Sequence, residues 1–169
     1  MNVEQADPRP EMAELEPPPN ERLCVFRRQE RSFALPVAEV LEVLPAVELA
    51  PIPLAPPLVA GLFNLRGDLV PLLRLEALFG LEPRPPVRGE QYLVTRLGDS
   101  RMALWVDRVV DIAPVEVEAL RGLSPTAPYT RGRIEIGAVP ALVLDLDQIV
   151  QAAEDQITGA LQERLAVPR

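Results

Sequence analysis

The stretch VAGLFNLRGDLVPLLRLEALFG, residues 59–80, decides how this chain is read. Two apolar runs, Leu58 to Leu65 and Leu69 to Leu75, flank Arg66-Gly67-Asp68. Short apolar runs separated by a Gly and polar residues read as two strands joined by a tight turn. Gly67 supplies the positive φ that such a turn needs. Pro71 predicts that the second strand is an edge strand or is bent there. Leu75, Leu78 and Phe79 then take helical spacing, and Gly80 is placed to end a short helix. Taken by itself, the unit is a hairpin with a solvent-facing Arg66.

Working outward, the chain has 169 residues, 48% of them hydrophobic and 25% charged, which is a globular composition with room for one sizeable core or two small ones. Its net charge of −8 argues against a surface that tracks nucleic-acid phosphates. The chain has no His and one Cys, Cys24, so it lacks both the commonest general base and a zinc-type cluster. Neither metal nor cofactor is expected. The carboxylates Glu42, Asp68 and Asp107 are read as solvated charges or turn caps, no P-loop is present, and an enzyme is not expected. No signal peptide is visible, and the run Leu49 to Phe63 carries four prolines and is too short to span a bilayer. A cytoplasmic protein is expected.

Residues 1–21 hold five prolines and six carboxylates and are expected to be a disordered acidic tail. Leu23 to Phe26 and Ser32 to Val37 predict a hairpin around the polar Arg27 to Arg31. Further strands are read over Val40 to Val47 and Trp105 to Ile112. Both carry more large apolar residues than two small cores need, so some should lie exposed and mark partner sites. Trp105 is expected to be buried. Prolines 45, 51, 53, 56 and 57 carry an extended crossing, Glu82 to Glu90 is a stiff linker, and Leu120 to Arg131 reads as a loop. Leu146, Ile149, Val150, Ala153, Ile157, Ala160, Leu161 and Leu165 form one helical stripe, expected to pack on the protein's own core, with Asp145 or Asp147 as its cap.

The chain also repeats itself. Leu23 to Pro45 laid on Tyr92 to Pro114, 69 residues on, matches Val25 with Val94, Arg27 with Arg96, Ala34-Leu35 with Ala103-Leu104, Val40 with Val109 and Pro45 with Pro114. Pro71-Leu72-Leu73-Arg74-Leu75 parallels Leu142-Val143-Leu144-Asp145-Leu146 at a shift of 71. Two small β units of similar plan follow, and closed barrels would remove their exposed edges.

The motif Gly61-x-x-Asn64-Leu65-Arg66-Gly67-x-x-x-Pro71 resembles the signature of CheW-like domains, the coupling modules of bacterial chemosensory arrays. Phe33 to Val37, Val40-x-Glu42-Val43, Trp105 to Val109 and Leu142 to Asp145 fall in order with it, so the resemblance runs from about Leu23 to Val150. It implies a mainly β fold of two small five-stranded SH3-like β-barrels related by a pseudo-twofold. Short helices and a C-terminal amphipathic helix over 146–166 complete it. The CheW-like domain would be 22–150, divided into barrels at about 22–82 and 91–145. It also implies a non-catalytic adaptor with two partners, the cytoplasmic tip of a chemoreceptor and the regulatory domain of a CheA-type histidine kinase, and recruitment to receptor arrays at the membrane. The receptor groove would use Val40, Glu42, Gly61, Arg66, Val109 and Ile112, with Arg66 paired to Glu42 on an adjoining strand. The kinase face would use Val37, Leu41 and Leu44. Arg74 departs from the family, which usually has Asp there, and leaves open a system that controls pili, development or another output. A small-ligand-binding β-barrel is the competing reading.

Overall fold

A computed structural model describes residues 20–166. The tail expected over 1–21 lies outside them except for Asn20 and Glu21, which open the first strand. In the first half, β1 (Asn20–Arg28) and β2 (Arg31–Pro36) form the hairpin, and a 3-10 turn (Val37–Glu39) leads into β3 (Val40–Pro45). β4 (Val59–Leu65), β5 (Asp68–Arg74) and α1 (Leu75–Phe79) follow, and Gly80 ends the helix at φ 62°. The second half supplies β6 (Gln91–Leu97), β7 (Ser100–Val106), β8 (Arg108–Glu116), α2 (Val117–Arg121), β9 (Thr130–Ile136), β10 (Val139–Leu144) and α3 (Leu146–Leu165).

The strands form two five-stranded sheets, ordered β8-β1-β2-β10-β9 and β3-β6-β7-β5-β4. Replacing each strand by its repeat partner five places along converts one order into the other. The duplication is therefore real in three dimensions, as a pseudo-twofold between two SH3-like units. The expected boundary between the units is corrected, because neither sheet is built from 22–82 or 91–145 alone. The first sheet takes β1 and β2 from one half and β8, β9 and β10 from the other. The exchange is sealed by two short parallel ladders, Leu72 to Arg74 of β5 on Ala103 to Trp105 of β7, and Leu142 and Val143 of β10 on Phe33 and Ala34 of β2.

Strand alternation fills three layers. Leu72 faces the interior of its own sheet with Phe63, Tyr92, Val94 and Trp105. The next residue, Leu73, turns the other way, into a cluster shared by both sheets that includes Phe26, Phe33, Leu35, Phe79, Leu93, Leu104, Leu146 and Ile149. The interior of the other sheet is smaller and aliphatic, with Leu23, Val25, Ala34, Ala113, Ala141 and Val143. Both interiors are filled by their own side chains, which leaves neither as the enclosed ligand cavity of a binding barrel.

Several expectations are corrected by packing. β5 is an interior strand, yet Pro71 is accommodated because the ladder to β7 begins only at Leu72. The single strand read over Trp105 to Ile112 is split at Asp107, and the helix Val117–Arg121 runs two residues into the loop read over Leu120 to Arg131. Asp145 caps α3 by accepting from the Gln148 backbone N–H at 3.2 Å. The α3 stripe packs on the core only in its first half: Leu146, Ile149 and Ala153 are buried, while Ile157, Leu161 and Leu165 are exposed.

Phe33→Ala should thus cost about 3–5 kcal/mol in denaturant unfolding. Ending the chain after Asp155 should cost no more than about 1–2 kcal/mol, since only partial burial is lost. Equal losses from the two changes would contradict the division of α3 into a packed and an unpacked half.

Candidate partner-docking site

The hairpin loop between β4 and β5 is only Arg66 and Gly67, and both have positive φ, 50° and 93°. Two positive φ angles in a two-residue loop match the strand twist. The Asn64 side-chain oxygen accepts from the Gly67 N–H at 2.8 Å and holds the turn. Arg66 is unusual here, because an L side chain resists the left-handed region. In the second half the corresponding residue, 71 positions on, is Gly137 at φ 63°. Glycine is the residue this geometry favours, so an arginine there points to a use for its side chain.

That side chain makes a bidentate pair with Glu42. Nη1 lies 2.7 Å from Oε1 and Nη2 lies 2.8 Å from Oε2. Glu42 is on β3 and Arg66 follows β4, the two outer strands of one sheet, so the expected neighbour relation is corrected. The sheet curls until its edges meet. A backbone bridge between Ala50, in the crossing that follows β3, and Leu62 of β4 closes the same side, with N–H to O distances of 2.7 and 3.0 Å. Gly61 permits this, since a Cβ there would lie 2.8 Å from the Ala50 carbonyl oxygen. Hydrogen bonding from Arg66 holds the Glu42 carboxyl below the usual carboxylate range. The Arg66 side chain is 72% exposed, so the pair adds little to stability and chiefly orients the guanidinium. Two of its five N–H groups face Glu42, and the other three remain for a partner.

Beneath the surface lies a feature that no local sequence pattern marks. Arg28 is fully buried at the end of β1. Its Nε donates to Glu76 Oε1 at 3.1 Å, with Nη2 closer still, and Nη1 donates to Glu90 at 2.9 Å and Asp107 at 3.2 Å. Glu90 also accepts from Trp105 Nε1 at 2.9 Å and from the Val87 N–H at 3.0 Å. Arg84 reaches Glu90 at 2.8 Å and Asp107 at 2.6 Å. Burial alone would pull the Arg28 guanidinium down, but the Glu76 hydrogen bond and the charges of Glu76, Glu90 and Asp107 hold it above its ordinary value. The guanidinium carbons of Arg28 and Arg74 lie 5.3 and 5.1 Å from the Trp105 ring centroid. Arg74 thus has an aromatic partner at the start of α1. Asp107, read from the sequence as a solvated charge or turn cap, instead joins this cluster from the break between β7 and β8.

The remaining expected site residues fall as follows. Val40 and Val109 both pack against the shared core. Gly61 is buried and serves the chain crossing. Ile112 is 39% exposed on β8, the outer strand of the other sheet. Val37, Leu41 and Leu44 do not form one face. Alternation along β3 turns Leu44 toward the aromatic interior and Leu41 outward, while Val37 packs on the shared core. The outward pair on β3 is Leu41 and Val43, and its repeat partners on β8, Val110 and Ile112, are exposed as well. Among the described residues, no group of His, Cys, Asp and Glu is placed to hold a metal ion, and no helix is long and apolar enough to cross a membrane.

These features define a class: an SH3-like double-sheet protein with paired outer strands and one arginine-bearing turn, fitted for binding other proteins. The chain belongs to the CheW-like domain family, which it matches over residues 22–154. It is similar to the chemotaxis protein CheW of Treponema pallidum, 26% identical over 144 residues that cover 80% of this chain and 85% of that protein. The chemotaxis protein CheA of the same organism is 28% identical over 92 residues, 53% of this chain and 11% of CheA. In fold it resembles the scaffolding protein TtCheW of Thermoanaerobacter tengcongensis, with a TM-score of 0.68, 22% identity, and coverage of 78% of this chain and 88% of that one.

Arg28→Met should destabilise by about 3–5 kcal/mol, because it leaves buried carboxylates without their cation. Chemical denaturation measures it, and a loss below about 1 kcal/mol would mean that the cluster is wet.

Proposed function

We propose that this chain is a non-catalytic cytoplasmic adaptor that couples chemoreceptors to a CheA-type histidine kinase and is recruited with them to receptor arrays. The observation that carries the reading is that two related outer strands are accompanied by an arginine at the β-turn of one half and a glycine at the matching turn of the other. β3 and β8 each present two exposed aliphatic side chains on the same rigid core. Only one half adds a guanidinium: Arg66 is held by Glu42, whereas the matching positions of the other half are Asp111 and Gly137. One scaffold therefore offers two surfaces of different chemistry, as an adaptor between unlike partners requires. The likeness to a segment of CheA supports a partner built on the same plan. The absence of His from the sequence removes the commonest catalytic base and supports the non-enzymatic reading.

In this reading the receptor tip docks at Val40, Glu42, Gly61, Arg66, Val109 and Ile112, with Arg66 making the directional contact. Gly61 acts there through the backbone approach it allows. The kinase regulatory domain docks along the β3 side of the molecule. Of Val37, Leu41 and Leu44, it is Leu41 that supplies exposed contact area, and Val37 and Leu44 set the strand's position from beneath.

Arg66→Ala should weaken binding of a cognate receptor-tip fragment by roughly tenfold or more and leave kinase binding and melting temperature close to wild type. Arg66→Gly should lose receptor binding equally while gaining stability, because the left-handed turn then carries its preferred residue. Leu41→Glu should do the converse and weaken the kinase complex. Titration calorimetry with each purified partner checks all three, and wild-type receptor affinity in both Arg66 variants would overturn the assignment.

A further inference from the structure

Where the lower ends of β1 and β8 meet the 84–90 linker, there is an open cleft of about 350 Å³. This lies at the small end of the range for ligand sites. Arg27, Arg84, Arg88 and Arg108 line it, together with Glu90 and Asp107. Four guanidiniums around one cleft are unexpected in a chain of net charge −8.

Two of them are set against each other by the fold. Arg27 and Arg108 are direct partners in the antiparallel β1–β8 ladder, an arrangement in which like charges repel. The cleft's own acids do not relieve this, because Glu90 and Asp107 are already engaged by Arg28, Arg84, Trp105 and the backbone N–H groups of Val87 and Gln29. Arg27 has only Glu30, 4.0 Å away and fully exposed. Its Nε is buried and has no hydrogen-bond partner. Among the described residues, Arg88 and Arg108 make no ion pair within 4.0 Å. Arg27, Arg88 and Arg108 thus line the cleft with no close anionic partner, while the fourth, Arg84, is fixed by the buried cluster.

We propose that this cleft binds a small phosphate-bearing anion of the di- or triphosphate class. A guanidinium fork matches adjacent phosphate oxygens through parallel hydrogen bonds. Several phosphate groups distribute charge over three arginines in a way that one carboxylate does not. The bound anion would bridge Arg88 of the linker to Arg27 and Arg108 of the strands, and so brace the connection between the two halves. Neither Arg66 nor Glu42 is among the residues that line this cleft.

Trp105, the only tryptophan, donates to the same Glu90 that lines the cleft, so its fluorescence reports the site. The full chain is titrated at low ionic strength with pyrophosphate, ADP, adenosine and glutarate, and binding is followed by fluorescence and thermal shift. Pyrophosphate and ADP should bind saturably and raise the melting temperature, whereas adenosine and glutarate should do neither. The double variant Arg88→Ser, Arg108→Ser should bind pyrophosphate roughly tenfold or more weakly, and without anion it should be as stable as wild type or more so. No saturable response to pyrophosphate at about millimolar concentration, a far weaker affinity than phosphate sites need, would overturn the proposal. So would wild-type affinity in the double variant, or equal binding of glutarate.

Discussion

Arg28 places a full positive charge where water is excluded, and the surrounding elements have to answer it. Glu76 comes from the helix after β5, Glu90 from the linker between the halves, and Asp107 from the break between β7 and β8. No two of these are close in sequence, so the cluster forms only when strand exchange is complete. A pair broken at one member would leave a buried charge alone, which is far more costly than the pair is stabilising. The cluster therefore acts as a check on assembly more than as a source of stability.

The exchange itself follows from what each half lacks. β1 and β2 have no third strand of their own half beside them, because β3 leaves to become the outer strand of the opposite sheet. Each parallel ladder, β5 on β7 and β10 on β2, joins one half to the other. Backbone groups that one half leaves open are satisfied by the other, and the largest apolar cluster lies between the sheets. The two sheets therefore share one continuous core beneath their outer surfaces.

Much of this is legible in the sequence, and the missing parts share a cause. The hairpin around Gly67, the end of α1 at Gly80 and the duplication are local or periodic signals, and each has its counterpart in the structure. The exchange of β3 and β8 is not local: a repeat shows that two units exist, but not which strands each unit keeps. Arg28 is hidden because its partners lie 48, 62 and 79 residues away, and its repeat partner is an uncharged Leu97. A face drawn through Val37, Leu41 and Leu44 ignores strand alternation, which sends Leu41 and Leu44 to opposite sides. The stripe on α3 is periodic along its whole length, but periodicity does not say how far the supporting core extends.

Duplication supplies two equal halves, and the structure shows where they have diverged. One interior is aromatic, with Phe63, Tyr92 and Trp105, and the other is aliphatic and small. Gly61 and Gly132, 71 positions apart, serve the same purpose, since a Cβ at either would meet a backbone oxygen at 2.8 Å. These shared glycines show that the curled sheet edge is needed in both halves. Five residues beyond each glycine the halves part, and Arg66 occupies a left-handed position where the other half keeps Gly137. A non-glycine residue in that region carries backbone strain, which a side-chain contact can offset or a function can outweigh. An exposed ion pair with Glu42 is too weak to do so by stability alone. What remains is the fixed direction in which the pair points the guanidinium, on the one curled edge that carries it.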